Sequence, residues 1–270
     1  MIGISDLEYL CAEVRQIARK AGAFLRDERQ KFDRERVEEK SAHNYVSYVD
    51  KESERRLVEQ LSTLLPEAGF IAEEGSGSLT DEEYCWVIDP LDGTNNYSQG
   101  LPVFTVSIGL QYREETILGV VYAPYLGELY TAIRDRGARY NGKVIRVAEK
   151  QDLAHSVLGT GFPYDKDVNP DNNAANLAAI LPSIRGIRRM GSAAYDLCCV
   201  AAGWLDGYWE LALQPWDMCA GALIVQEAGG QVTDFYGNAC FIDGHHVVAT
   251  NGRLHPFLLQ LVEEAMPSGM

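Results

Sequence analysis

The sequence predicts an α+β fold that becomes α/β in its second half. An antiparallel sheet packed by two helices covers about residues 1–147, and alternating strands and helices cover about 148–270. Three observations carry this reading. Two early stretches repeat apolar residues at helical spacing. Between residues 70 and 147, short β-branched and aromatic runs dominate. After 147, short apolar runs alternate with helical stretches. No linker, repeat or low-complexity segment separates the halves, so the chain reads as a single domain of two lobes.

The elements follow in order. Leu7, Leu10, Cys11, Val14, Ile17, Ala18, Ala21, Phe24 and Leu25 form one face of a first helix, and Ser5 with Glu8 has the form of a capping box. The polar segment from Asp27 to Tyr45 reads as a mobile loop or a hairpin. A second helix is expected from Lys51 to Leu65, with Leu57, Val58, Leu61 and Leu64 inward and Pro66 marking its end. Strands are expected over 69–72, 84–88, 103–110, 117–123 and 128–133. Asn141-Gly142 is a hairpin turn signal between 139–140 and 144–147. In the second half, strands are expected over 156–160, 186–189, 207–211, 231–234 and 246–250. Helices are expected over 172–181, 192–202, 216–228 and 254–264.

Composition narrows the function. The formal net charge of -15 argues against a nucleic-acid partner, because phosphate-backbone binding needs clustered Lys and Arg. An anionic substrate would be repelled too unless cations mediate. The six cysteines (Cys11, Cys85, Cys198, Cys199, Cys219 and Cys240) form no metal-type pair and no disulfide framework, so they read as buried thiols in a reducing compartment. The N-terminus carries acids where a signal peptide needs bases, and no apolar run approaches the roughly 18 residues of a membrane span. A cytoplasmic protein with no membrane partner is expected.

The run from Trp86 to Tyr97, Trp-Val-Ile-Asp-Pro-Leu-Asp-Gly-Thr-Asn-Asn-Tyr, carries the chemistry. Its apolar start reads as a buried strand that stops at Asp89 and Pro90, since proline cannot donate to a continuing ladder. Asp89 and Asp92 then flank a stiff turn. Gly93 frees the backbone, and Thr94, Asn95 and Asn96 are suited to start a short helix whose exposed amides attract an anion. Taken alone, the same run is also compatible with an ordinary Asp-Pro-x-Asp-Gly surface turn.

Further acids sit at comparable breaks. Glu73 and Glu74 follow a strand, Asp217 opens a helix after Trp216, and Asp50 precedes the second helix. Each has a plainer reading. Asp50 has the chemistry of an N-cap, Glu74 that of a solvated neighbour of Glu73, and Asp217 that of a first-turn acid. His245 and His246 are adjacent, so in a strand they point to opposite faces and do not chelate one ion together.

With these pieces in order, the chain resembles the inositol monophosphatase family of magnesium-dependent, lithium-sensitive sugar phosphatases. The matching pieces are Glu73-Glu74, Asp89-Pro-Leu-Asp-Gly-Thr94, Gly191-Ser-Ala-Ala194 and Trp216-Asp217 with the Glu-Ala-Gly-Gly end of its helix. The resemblance implies a layered αβαβα sandwich, usually a homodimer. It also implies that Glu73, Asp89 and the Leu91 carbonyl hold one Mg²⁺, and that Asp89, Asp92 and Asp217 hold a second. A third, weaker ion would lie near Glu73. The Asp50–Thr94 pair and Glu73 would orient the attacking water. The substrate phosphate would meet the metals and the Gly93 and Thr94 amides. Gly191, Ser192, Ala193 and Glu210 would face the polyol. Arg188 and Arg189 would approach substrate or dimer partner, or remain solvated.

Elementary chemistry agrees with that implication. Mg²⁺ takes hard oxygen ligands, and a donor set without His or Cys argues against zinc. Crowded carboxylates without cations repel one another and shift their pKa values. The expected substrate is inositol-1-phosphate or a related small phosphate monoester, because Asn95-Asn96-Tyr97 after Gly-Thr resembles the inositol-phosphatase branch. Asn95 and Tyr97 replace the usual Thr and Phe, and Asn44 stands where many members carry Asp. Fructose-1,6-bisphosphatase, 3′-phosphoadenosine-5′-phosphate phosphatase and histidinol-phosphatase activities are the alternatives on the same site. Some bacterial members contribute to RNA-processing or transcription complexes, so a partner-binding regulator with incidental phosphatase activity is the alternative of another class.

Overall fold

The computed structural model describes residues 2–31, 38–41, 44–76, 82–239, 242 and 246–265. The chain stacks in five layers, helix on sheet on helix on sheet on helix. The first helices, α1 (Ile4–Arg29) and α2 (Tyr48–Leu64), pack on a seven-stranded sheet. Its order is β3 (Ala68–Ala72), β4 (Tyr84–Asp92), β5 (Thr105–Tyr112), β6 (Glu115–Ala123), β7 (Glu128–Ile133), β8 (Ala138–Tyr140) and β9 (Lys143–Val144). The middle layer is α5 (Ala193–Ala201) and α6 (Pro215–Glu227), which touch strands of both sheets. The second sheet runs β11 (Gly186–Arg188), β10 (Val157–Thr160), β12 (Gly207–Leu211), β14 (His246–Thr250), β13 (Gln231–Thr233). The outer layer pairs α4 (Ala174–Ile180) with α7 (His255–Ala265).

The layering follows from the strands. Successive strand residues face opposite sides of a sheet. Along β6, Val120 and Tyr122 join the core under α1 and α2, while Val121 and Ala123 join the core around α5 and α6. A strand that is apolar on both faces must be covered on both, and the helices supply that cover. A third core, with Leu158, Trp209, Phe235 and Leu258, lies on the remaining face of the second sheet.

Several boundaries differ from the sequence reading, each for a physical reason. α1 begins at Ile4 with Gly3 as its N-cap and no side-chain cap, so Ser5 and Glu8 form no capping box: both lie inside the helix. α1 also runs on through Asp27 to Arg29. The hairpin expected beyond it is β1 (Glu38–Ser41) paired with β2 (Asn44–Val46), while residues 32–37 and 42–43 lie outside the described residues. The first sheet is antiparallel except that β3 and β4 run parallel, which side-chain periodicity cannot reveal. The second sheet is mixed, with β10, β11 and β12 parallel and β13 and β14 antiparallel to their neighbours. The Asn141-Gly142 turn is as expected, with both residues at positive φ (47° and 83°). Cys11, Cys85, Cys198, Cys199 and Cys219 are free thiols; Cys240 and His245 lie outside the described residues. No helix among the described residues is long and apolar enough to cross a membrane.

Candidate active site

β4 does not stop at Pro90. It continues to Asp92 through a bulge, pairing Asp89 with Ser107 and Asp92 with Thr105. Three steps on β4 thus oppose two on β5. In a regular strand, residues three apart face opposite sides. The extra residue turns Asp92 onto the side of Asp89. Proline tolerates this position because a bulge leaves a backbone N–H unneeded.

Each carboxylate is held by backbone. The Leu91 amide donates to Asp89 Oδ1 at 2.9 Å. Asp92 lies at the start of α5 and accepts from Ser192 Oγ at 2.6 Å, the Ala194 amide at 2.9 Å and the Ala193 amide at 3.3 Å. A carboxylate at a helix N-terminus is stabilised by orphan amides and the helix dipole. Asp217 sits in the first turn of α6, after Pro215, and accepts the Gln214 amide at 2.7 Å. These three helix and strand ends bring oxygens of Asp89, Asp92 and Asp217 within 4.8 Å of one another.

A second group lies behind them. Thr94 Oγ1 donates to Asp50 Oδ1 at 2.8 Å and sits 3.1 Å from the Leu91 carbonyl oxygen. Asp50 is not the N-cap of α2. Ser47 fills that position, and Asp50, three residues on, accepts the Ser47 amide (2.8 Å) and hydroxyl (2.6 Å) in a capping box. Two further α2 residues brace the site. Ser53 Oγ donates to the Pro90 carbonyl at 3.2 Å, and the fully buried Glu54 accepts the amides of Glu74 (2.6 Å) and Ser76 (2.8 Å). Glu54 therefore holds the turn that carries Glu73.

Glu73, Asp89, Leu91, Asp92, Gly93, Thr94, Gly191, Ser192, Ala193, Glu210 and Asp217 all line one cleft of about 330 Å³. Asp50 is buried behind Thr94. The Ala193 amide, expected to face a polyol, points at Asp92 instead. Glu210 accepts from the Tyr208 hydroxyl, and Gly161 makes room for it, since a Cβ there would collide with the Glu210 carboxylate. Both Arg188 and Arg189 are exposed, and of the two only Arg189 lines the cleft. Asn96 escaped the sequence reading as a site residue. Its amide nitrogen donates to the carbonyls of Val103 (2.7 Å) and Met190 (2.8 Å), tying α3 (Thr94–Gln99) to the Gly191 turn. Phe162 and Tyr164 of the β10–α4 loop also line the cleft, and no spacing rule marked them.

Burial and mutual repulsion shape the electrostatics. Burial pushes the Asp89 carboxyl well above the usual range, and the charges of Glu73, Asp92 and Asp217 push the same way. Asp217 is raised well above its ordinary value by burial and then by Asp92. Asp92 is raised by burial, against the pull of its bonds from Ser192 and the α5 amides. Glu210 is pushed up to about 7, again chiefly by burial. Buried carboxylates crowded this closely demand positive charge or protons.

A divalent cation meets that demand. Asp89, Asp92 and Asp217 offer only carboxylate oxygens, and Leu91 and Glu73 line the same cleft. Such a hard, all-oxygen set suits a cation such as Mg²⁺, and the lack of His and Cys donors argues against zinc.

The comparisons with known proteins agree with this geometry. The profile of the inositol monophosphatase family matches residues 6–267. The Nus factor SuhB of Pasteurella multocida is 42% identical over 251 residues, covering 92% of this chain and 94% of that protein. A fructose-1,6-bisphosphatase/inositol-1-monophosphatase of Aquifex aeolicus is 40% identical, covering 94% and 96%. The structure of an inositol monophosphatase from Anabaena superposes with a TM-score of 0.88 at 36% identity, covering 97% of this chain and 98% of that one. A shared fold, a shared profile and an acid cleft assembled from the matched motifs lead to one assignment: the chain belongs to the inositol monophosphatase family.

Proposed function

We propose that the protein is a Mg²⁺-dependent hydrolase of small phosphate monoesters, with inositol-1-phosphate or a related polyol phosphate as substrate. The observation that carries this is the convergence of Asp89, Asp92 and Asp217 beside the Thr94–Asp50 pair in one open cleft. Glu73, Asp89 and Leu91 would hold one Mg²⁺, and Asp89, Asp92 and Asp217 a second, with room for a third near Glu73. Bound there, the ions would supply charge to the phosphoryl oxygens and lower the pKa of a water. The chain's own part is orientation. With its proton committed to Asp50, Thr94 Oγ1 has a lone pair available to accept from a water in the cleft. Glu73, which lines the same cleft, would help to fix that water. Gly93, with φ of 96°, turns the backbone so that the first amides of α3 can meet the phosphate. Gly191, Ser192 and Glu210 would receive the polyol, with Ala193 bracing Asp92. A homodimer in the cytoplasm is the assembly and location that the family resemblance and the sequence favour.

The test is phosphate release by purified protein, with and without Mg²⁺, across inositol-1-phosphate, fructose-1,6-bisphosphate, 3′-phosphoadenosine-5′-phosphate and histidinol phosphate. Mg²⁺-dependent release with inositol-1-phosphate turned over fastest supports the proposal. A clear preference for another of the four reassigns the substrate, and no release from any overturns it.

A second reading, a partner-binding regulator, is favoured by the name Nus factor borne by a relative at 42% identity. Asp92→Asn separates the two readings. A cellular phenotype that survives the loss of hydrolysis assigns the role to binding, and one that disappears with hydrolysis assigns it to catalysis.

A further inference from the structure

A second cavity, of about 450 Å³, opens where α1 meets β7, β8 and the turn between them. It shares no lining residue with the acid cleft. Its walls carry Arg15 from α1, Arg136 from the turn and Arg139 from β8. Cys11 and Ile133 contribute apolar surface, and Glu8 is exposed on the same wall. Three arginines lining one cavity stand out in a chain of net charge -15.

None of the three makes an ion pair with a carboxylate among the described residues. The arginine ion pairs there belong to Arg55, Arg56, Arg113 and Arg134. Arg15 Nε is buried and has no hydrogen-bond acceptor among the described residues. A buried donor without an acceptor is a standing cost that a bound oxygen would offset. Arg139 spends one nitrogen on the Gly142 carbonyl, at 3.2 Å, and its other donors remain for a ligand. Arg15 and Arg139 both lower the Cys11 pKa against the burial that raises it, which places the two guanidiniums around that thiol. The turn bearing Arg136 is fixed in advance, because the amides of Asp135, Arg136 and Gly137 donate to the Glu227 carboxylate at 2.8, 3.1 and 2.7 Å.

We propose that Arg15, Arg136 and Arg139 form a binding site for a small phosphorylated anion, separate from the acid cleft. Forked guanidiniums match the tetrahedral oxygens of a phosphoryl group and can engage them in pairs. The cavity falls in the range of roughly 300–1,000 Å³ typical of small-ligand pockets. On so acidic a chain, only a local concentration of positive charge can attract an anion.

The test is isothermal titration calorimetry of the full chain with pyrophosphate as probe, at low ionic strength in EDTA. The chelator denies the acid cleft the cations it would need to hold pyrophosphate. One site is expected, with a Kd below about 1 mM. Arg136→Gln, at an exposed position that does not endanger folding, should weaken it at least about tenfold, a loss of roughly 1.4 kcal/mol. Arg15→Gln and Arg139→Gln should do the same, and Asp217→Asn should leave it unchanged. Citrate should bind at least about tenfold more weakly than pyrophosphate. Absence of binding, or binding that survives the triple change R15Q/R136Q/R139Q, overturns the proposal. Tighter binding of citrate or of an oligoglutamate peptide also overturns it, reassigning the cavity to carboxylates or to an acidic protein segment.

Discussion

Thr94 and Asp50 are 44 positions apart in sequence and are joined by a 2.8 Å hydrogen bond in which the threonine hydroxyl donates. The bond links the α3 start to the α2 start directly behind the acid cleft. Both residues are buried, and Asp50 is anchored from its other side by Ser47. Thr94→Val keeps the side-chain shape and removes only the hydroxyl. The expected result is a kcat lower by about 10²- to 10⁴-fold, with KM and the Mg²⁺ requirement changed far less. Steady-state kinetics decide, and a kcat near that of the unaltered protein excludes Thr94 from orienting the water.

Asp217 reaches the cleft from α6, whereas Asp89 and Asp92 reach it from β4. Asp217→Asn keeps the size of the side chain and removes one of three convergent charges. Activity should fall by about 10²-fold or more at ordinary Mg²⁺, through loss of a divalent-cation ligand. Excess Mg²⁺ should restore it only in part. An unaltered rate would refute a role for Asp217 in holding an ion.

Lithium inhibition follows from the same all-oxygen donor set. Li⁺ is a small, hard cation that prefers oxygen ligands but carries half the charge of Mg²⁺. It can therefore occupy a carboxylate site without giving the phosphoryl group equal stabilisation. Titration at fixed Mg²⁺ should show loss of activity at millimolar Li⁺, with Na⁺ at equal concentration as the control. Insensitivity across that range would separate this chain from the family's lithium-sensitive behaviour.

Much of this site was legible because its chemistry is concentrated. Asp89, Leu91, Asp92, Gly93 and Thr94 fall within six consecutive residues, and Asp217 directly follows a tryptophan at a helix start. The individual helices and strands were legible from apolar periodicity, while their stacking into layers came from the family resemblance. What stayed hidden depends on long-range contact. Period-two alternation places Asp89 and Asp92 on opposite faces, and only the bulge against β5 brings them together. The parallel pairing of β3 with β4 leaves no mark on periodicity. Glu54, Ser53 and Asn96 each reach backbone at least 20 positions away, up to 94 for Asn96 to Met190, so nothing local distinguishes them from ordinary polar residues. Ser5 and Glu8 show the converse, a correct local pattern that the helix does not use because it starts earlier, at Ile4.

Glu54 tests that hidden layer. It is fully buried and accepts two amides of the turn bearing Glu73. Hydrogen bonds to a charged acceptor contribute more than neutral ones, about 1.5–3 kcal/mol each before competing terms. Glu54→Gln should loosen the turn and raise the Mg²⁺ concentration for half-maximal activity by about tenfold. With saturating Mg²⁺, kcat should recover to within a few-fold. A Mg²⁺ titration that overlays the unaltered protein would show that Glu73 needs no such brace.

The acid cleft also sets how stability depends on pH. Asp89, Asp217 and Glu210 all have raised pKa values, Glu210 at about 7, with burial the largest cause in each. In the unfolded chain such carboxyls release their protons near pH 4. Between those limits the folded state holds more protons than the unfolded state, so stability falls as pH rises. For Glu210 alone, the loss between pH 6 and pH 8 is about 1.4 kcal/mol. That corresponds to a Tm lower by about 2–3 °C in a chain of this size, and the two aspartates add in the same direction. The loss should appear in EDTA. Saturating Mg²⁺ should reverse the slope, because a cation binds only the deprotonated carboxylates and its effect on stability grows with pH. Thermal melts at pH 6, 7 and 8 with EDTA or Mg²⁺ read both slopes. A Tm in EDTA that is flat or rising over this range would mean that the cleft carboxylates are already ionised without a metal.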